Sequence, residues 1–213
     1  MKAYTLYTTS HASMLHKFLI PSIPQDIQLT TIYYDKYFGG NHAEGDFWKI
    51  AKFKLEMIRH YVCKNLSTNI LWIDSDILFC VNYLKPYLEP YYEYDVVASR
   101  DCEKMCSGFM MLKCTTKLVQ MFDKAIRLTP TKNQTLHDQA ALQALWHTIN
   151  GFLLPKEQFW NIEFIHKKYK PLDNIVDFIP NNMVLFHANY ISRLDDKQRA
   201  LTLVQEYLNE PIR

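Results

Sequence analysis

Two aspartates one residue apart, Asp74 and Asp76, follow an unbroken apolar run, Ile70-Leu71-Trp72-Ile73, and precede another, Ile77-Leu78-Phe79. On or just past a strand, residues i and i+2 point to the same side, so the two carboxylates can face one ligand while Ser75 points away. Held that close, they repel each other unless a cation sits between them. Their oxygens are hard ligands, and a site that keeps coordination positions open suits Mg²⁺ or Mn²⁺ shared with a substrate phosphate. The competing reading of an Asp-x-Asp pair is a solvated acidic turn. Buried flanks on both sides keep these carboxylates off a loose loop and favour a site.

Three other residues carry two readings each. Lys54 stands at the border of the apolar helix face formed by Phe47, Ile50, Leu55, Ile58 and Tyr61, whereas Lys49 and Lys52 fall on the polar arc. It either snorkels over apolar surface or reaches into a site. His187, after Val184-Leu185-Phe186, reads on its own as a satisfied structural histidine. Asp138 opens a helical segment, where capping the helix competes with a role in a site.

The elements that position these residues follow from periodicity. Ala3 to Thr8 is a short β-prone run that reads as a buried first strand ending in a loop, and Ile27 to Tyr33 reads as a second strand. Beyond a Gly39-Gly40-Asn41 turn, a helix is expected over Asp46 to Cys63. Asn69 to Ile73 is the continuous apolar run of a central strand covered on both faces. Strands are expected at Asp95 to Ala98, Gly108 to Lys113, Phe152 to Leu154, Ile175 to Ile179 and Val184 to Phe186. Helices are expected at Thr115 to Leu128, His137 to Trp146 and Asp195 to Leu208. Strands separated by helices imply a layered α/β fold with a mostly parallel sheet, whose ligands gather outside the strand C-termini.

Composition narrows the partners. A chain of 213 residues with 48% hydrophobic and 14% aromatic side chains can bury a substantial core, and one domain is expected. With 24 basic against 22 acidic residues and no Lys/Arg block, a nucleic-acid partner is not implied. The five cysteines are odd in number and contain no Cys-x-x-Cys, which suggests neither a disulfide framework nor a zinc site. No stretch approaches the roughly 18 to 20 apolar residues that span a bilayer, and the N-terminus lacks the apolar run of a signal peptide. A soluble, cytoplasmic protein is expected.

Leu71-Trp72-Ile73-Asp74-Ser75-Asp76-Ile77 resembles the Asp-x-Asp signature of GT-A fold glycosyltransferases that use nucleotide-diphospho-sugars, and other segments resemble that family in order and spacing. Thr5-Leu6-Tyr7-Thr8-Thr9-Ser10 is similar to the first strand and loop that hold the uridine in glycogenin-like and bacterial galactosyltransferase-like members. Cys106-Ser107-Gly108-Phe109-Met110 resembles the strand beside the donor sugar, and Asp138-Gln139-Ala140-Ala141-Leu142 the Asp-Gln helix start. Leu153-Leu154-Pro155 through Phe159-Trp160-Asn161 resembles the segment after it, and Phe186-His187-Ala188-Asn189-Tyr190 the late His motif. The chain is also similar to glycosyltransferase domains that chloroviruses, large viruses of algae, encode for capsid glycans.

The resemblance implies an α/β, Rossmann-like GT-A fold: a mixed, mostly parallel central sheet flanked by helices, one domain over residues 1–213, N-terminal in a longer protein if the polypeptide continues. It implies transfer of a hexose or deoxyhexose, glucose- or rhamnose-type, from a UDP-sugar to a glycan or protein acceptor with retention of configuration. A viral origin would place that reaction in the host cytoplasm. Asp74, Asp76 and His187 would hold Mn²⁺, with Mg²⁺ as the alternative. Thr8, Thr9 and Ser10 would hold the uridine, and Lys54, Ser75, Asp101, Ser107 and Gly108 would contact the donor. Asp138 and Gln139 would sit near the anomeric carbon. Arg193 replaces the family's diphosphate-gripping Lys, with Lys197 as the fallback. Tyr190 and Cys106 depart from the family's Gly and Asn. Two alternatives stand beside this reading: a phosphotransferase of the haloacid-dehalogenase type, which also places Asp-x-Asp after a buried strand, and a non-catalytic nucleotide-sugar-binding module.

Overall fold

The structure is a computed structural model, and it describes residues 1–35, 47–129, 136–162, 172–189 and 191–209. The Gly39-Gly40-Asn41 turn, Asp46 and Tyr190 lie outside the described residues. Strand β1 (Lys2–Tyr7) pairs in parallel with β2 (Gln28–Tyr33) on one side and with β3 (Asn69–Ile73) on the other. β6 (Lys104–Lys113) runs antiparallel to β3 and to β5 (Val96–Asp101), and β7 (Gly151–Leu153) lies parallel to β5. The order is β2-β1-β3-β6-β5-β7, with β6 alone reversed, so the central sheet is mixed and mostly parallel. A second sheet of three strands, β4 (Ile77–Phe79), β9 (Leu185–His187) and β8 (Phe159–Asn161), has β9 in its middle.

The side-chain alternation of the central strands explains their apolar runs, because both faces are covered. From β3 and β6, Ile70, Trp72, Met110 and Leu112 enter one core. That core is shared with α1 (Phe47–Lys64), α2 (Thr116–Leu128) and α3 (Asp138–Leu145). Their neighbours Leu71, Ile73, Phe109 and Met111 enter a second core. There they meet Leu15 and Leu19 and, from the second sheet, Ile77, Phe79, Phe159 and Leu185. The other face of that sheet gives Leu78, Trp160 and Phe186 to a third core under α4 (Leu194–Asn209). The molecule is thus a stack: helices, central sheet, small sheet, closing helix.

Three expectations change. Residues 175–179, rich in β-branched side chains, do not form a strand: Leu172–Phe178 is a 3-10 helix. Among them only Ile175 is fully buried, against the core that also holds Ala200, Leu201 and Val204, and both edges of β9 are already occupied by β4 and β8. Tertiary packing overrides the local β-propensity. After the first strand, where only a loop was expected, residues 9–22 wind through 3-10, α and π turns that bury Met14, Leu15, Phe18 and Leu19. Phe159–Asn161, read only as a motif, is a strand.

Candidate functional site

The carboxyl ends of β1, β3 and β5 and the early residues of β6 meet at one end of the central sheet, around a cavity of about 530 Å³. Asp74, Ser75 and Asp76 form the turn that carries the chain from β3 to β4, and so from one sheet to the other. The turn is fixed at both ends: Asp74 N–H donates to the Gly108 carbonyl at 2.7 Å, and Ala188 N–H donates to the Asp76 carbonyl at 3.0 Å. The second sheet pairs Ile77 with His187, so strand register alone sets the imidazole beside Asp76. His187 Nε2 lies 3.2 Å from Asp76 Oδ1, and one ligand atom each from Asp74, Asp76 and His187 falls within 4.8 Å of the others. A Cβ at position 108 would stand 2.1 Å from His187 Cε1 and 3.0 Å from Asp74 Oδ2, so glycine is what lets the ring and the carboxylate come together. Two carboxylates and an imidazole, open to a cavity, fit a divalent cation of the Mn²⁺ or Mg²⁺ type.

Lys54, on the cavity-facing side of α1, is buried and placed between two acids. Its ammonium is 2.8 and 2.9 Å from the Asp74 oxygens and 3.1 Å from Asp138 Oδ2. Its ammonium reaches the cavity and does not snorkel to the surface. Burial opposes its charge, but Asp74 and Asp138 raise its pKa above the ordinary lysine value. Burial likewise pushes the Asp138 carboxyl up, and Lys54, His137 and Ser107 override it and hold Asp138 well below the usual carboxylate range. Ser107 Oγ donates to Asp138 Oδ2 at 2.8 Å. Asp138 does not cap its helix: the N-cap position is His137, which makes no side-chain cap hydrogen bond. Gln139 accepts from Ser107 N–H at 3.3 Å and donates from Nε2 to Asp101, tying α3 to the end of β5.

Asp76 is shared between two cations. Lys197 Nζ, on α4, is 2.5 Å from Oδ2, and His187 faces Oδ1. Burial raises and these two partners lower the Asp76 pKa, with the partners winning. Burial lowers the His187 pKa, but Asp76, with Cys106 on the other side of the ring, outweighs it and pushes the imidazole up to about 10.

The expected residues divide. Thr8, Lys54, Asp74, Ser75, Asp76, Asp101, Ser107, Gly108, Asp138, Gln139 and His187 line the cavity together. Thr9 is exposed and bonds Tyr33 Oη at 2.7 Å, and Ser10 bonds Thr8 at 2.9 Å; neither lines the cavity. Arg193 is exposed and outside the lining, whereas the fallback Lys197 is inside it. Sequence reasoning passed over His11, whose Nδ1 lies 3.1 Å from Thr8 Oγ1 and 3.0 Å from Ser10 Oγ. Burial and the nearby Lys197 lower its pKa to about 4, against the pull of Asp76. Its only signal in the sequence was its place directly after Thr8-Thr9-Ser10.

Residues 24–201 match the family model described as nucleotide-diphospho-sugar transferase. No curated protein matches the sequence significantly. The structure is similar to a glycosyltransferase involved in glycosylation of the major capsid of PBCV-1, with a TM-score of 0.62 at 10% identity over 93% of this chain and 98% of that one. It is similar to the glycosyltransferase GlyE of Streptococcus pneumoniae TIGR4, with a TM-score of 0.59 at 14% identity, covering 99% of this chain but spanning 60% of GlyE. The galactosyltransferase LgtC, in complex with donor and acceptor sugar analogs, gives 0.56 at 13% identity over 100% of this chain and 98% of that one. The expected GT-A architecture is the one these neighbours share.

Proposed function

This chain belongs to the nucleotide-diphospho-sugar transferase family, and from that premise we propose that it moves a hexose or deoxyhexose, glucose- or rhamnose-type, from a UDP-sugar to a glycan or glycoprotein acceptor. Family membership sets aside the phosphotransferase alternative. The observation that carries the reading is the meeting of Asp74, Asp76 and His187 beside Lys54 and Lys197 at the strand ends. The likeness to a capsid-glycosylating enzyme supports a protein-linked glycan as acceptor.

Transfer breaks the bond between the anomeric carbon and the diphosphate, and the barrier falls when charge developing on the leaving oxygen is neutralised. Asp74, Asp76 and His187 would hold a divalent cation, which would supply that neutralisation. Lys54 and Lys197 add fixed positive charge at the same place, and Lys197 takes the role first assigned to Arg193. Asp101 and Gln139, already bonded to each other, orient sugar hydroxyls, with the Ser107 hydroxyl and the Gly108 backbone alongside. Asp138, held ionised by Lys54, faces the carbon that gains positive character as the bond breaks. Thr8, in the cavity wall, holds the uridine, and His11, in neutral form, braces its hydroxyl and that of Ser10 behind it. Retention of configuration is part of the proposal.

The test incubates the protein with UDP-glucose or UDP-rhamnose, with and without Mn²⁺, and measures UDP release and thermal stabilisation by UDP. Metal-dependent, UDP-specific stabilisation together with slow donor hydrolysis is expected. Its absence would sink the proposal, and an inverted anomer by NMR would overturn retention.

A further inference from the structure

An imidazole that binds a cation through Nε2 must present a lone pair there, so Nδ1 carries the proton and requires an acceptor. On His187, Nε2 is the nitrogen on the Asp76 side, and Nδ1 faces the sulfur of Cys106 at 3.7 Å. That sulfur is buried and receives two more N–H groups: Gly108 N–H donates to it at 3.5 Å and Asn189 Nδ2 at 3.8 Å. A thiol is weak both as donor and as acceptor, and with two N–H groups already directed at this sulfur its place in the network is that of an acceptor. The ring has little freedom to turn away, since it packs where a side chain at position 108 would otherwise be.

We propose that Cys106 is a positioning residue for cation binding: its sulfur holds His187 in the Nδ1–H tautomer, with the Nε2 lone pair directed to the side of Asp76 and Asp74. The proposal rests on the reading of those three residues as cation ligands. It assigns the cysteine no contact with the cation and no chemical step. Groups that hold the far nitrogen of a ligating histidine are worth about 10- to 100-fold in metal affinity when removed.

Mn²⁺ binding to the UDP complex, followed by electron paramagnetic resonance of the free ion, compares wild type with Cys106→Ala and Cys106→Ser. The alanine variant is expected to bind Mn²⁺ about 10- to 100-fold more weakly, and the serine variant, which restores an acceptor, to fall between the two. A readout independent of activity comes from ¹⁵N-histidine NMR of the diamagnetic Mg²⁺·UDP complex. Wild type should show His187 protonated at Nδ1 alone, and Cys106→Ala a mixture of tautomers. Should the alanine variant fail to fold, Cys106→Ser carries the comparison, with weaker Mn²⁺ binding than wild type expected. Equal affinity and an unchanged tautomer signal in the folded variants would overturn the proposal by itself. Wild type that binds UDP with no dependence on Mn²⁺ or Mg²⁺ would overturn the cation reading, and this proposal with it.

Discussion

At the scale of single residues, the site is an arrangement of compensated charges. Lys54 and Asp138 are both buried: the lysine is balanced by Asp74 and Asp138 together, and the Asp138 carboxylate by Lys54 and the Ser107 hydroxyl. Removing one member of such a buried pair costs about 3–5 kcal/mol, mostly from the charge left behind. Lys54→Met is therefore expected to lower stability in urea by about that amount, while Asp138→Asn, which keeps a hydrogen-bonding side chain for Ser107, should cost less. Gly108→Ala drives a methyl into the His187 ring. It is expected to abolish Mn²⁺-dependent stabilisation by UDP in a thermal-shift assay, with Gly108→Ser no better. Asp74, Asp76 and Lys54 were legible in the sequence because their chemistry is odd for their surroundings: acids between apolar runs, and a lysine against an apolar face. Lys197 was harder to choose over Arg193. The two are one helical turn apart, Lys197 N–H bonding the Arg193 carbonyl, and which one turns inward depends on how α4 docks.

At the scale of elements, capping and register can be tested apart from the chemistry. Thr115 caps α2, accepting from Leu118 N–H at 3.2 Å, and Thr115→Ala is expected to cost about 1 kcal/mol by chemical denaturation. Asp95 stands just ahead of β5 and joins three elements: it pairs with Lys117 of α2 at 2.7 Å and accepts from Asn150 N–H, ahead of β7, at 2.9 Å. Partial burial raises its pKa, but the Lys117 and Asn150 hydrogen bonds prevail and lower it below the ordinary carboxylate value. Folding then holds fewer protons on this group than the unfolded chain does. The stabilisation is present above the unfolded value near 3.8 and is lost as pH falls through the lower folded value. Asp95→Asn should be less stable than wild type at pH 7, and the two unfolding curves should converge in strong acid. The strands of the central sheet were readable because burial on both faces leaves runs with no polar interruption. The 3-10 helix at Leu172–Phe178 was not, since its composition is that of a strand and its burial, with Ile175 against Ala200, Leu201 and Val204 of α4, depends on residues distant in sequence. Nor did the sequence separate two sheets, because a strand of three residues looks the same in either.

At the scale of the whole molecule, the cavity lies where the layers meet. Lys54 comes from the helical layer, Asp74 and Gly108 from the central sheet, His187 from the small sheet and Lys197 from the closing helix. A ligand that engages all of them ties the stack together. Hydrogen exchange with UDP and Mn²⁺ bound is therefore expected to slow in β9 and in the first turns of α4, and not only in the loop after β1. Protection confined to that loop would mean that the nucleotide binds without engaging the small sheet. The layered architecture itself was legible from the alternation of strands and helices, whereas the convergence of four layers on one cavity depends on pairings between residues distant in sequence. One of those pairings also bears on synthesis. β9 is the middle strand of its sheet, yet among the strands of the described residues it is the last to leave the ribosome. Asp74 and Asp76 are made long before it, and until it threads between β4 and β8 a nascent chain has the two carboxylates without the imidazole, so the proposed cation site would be completed only late in translation.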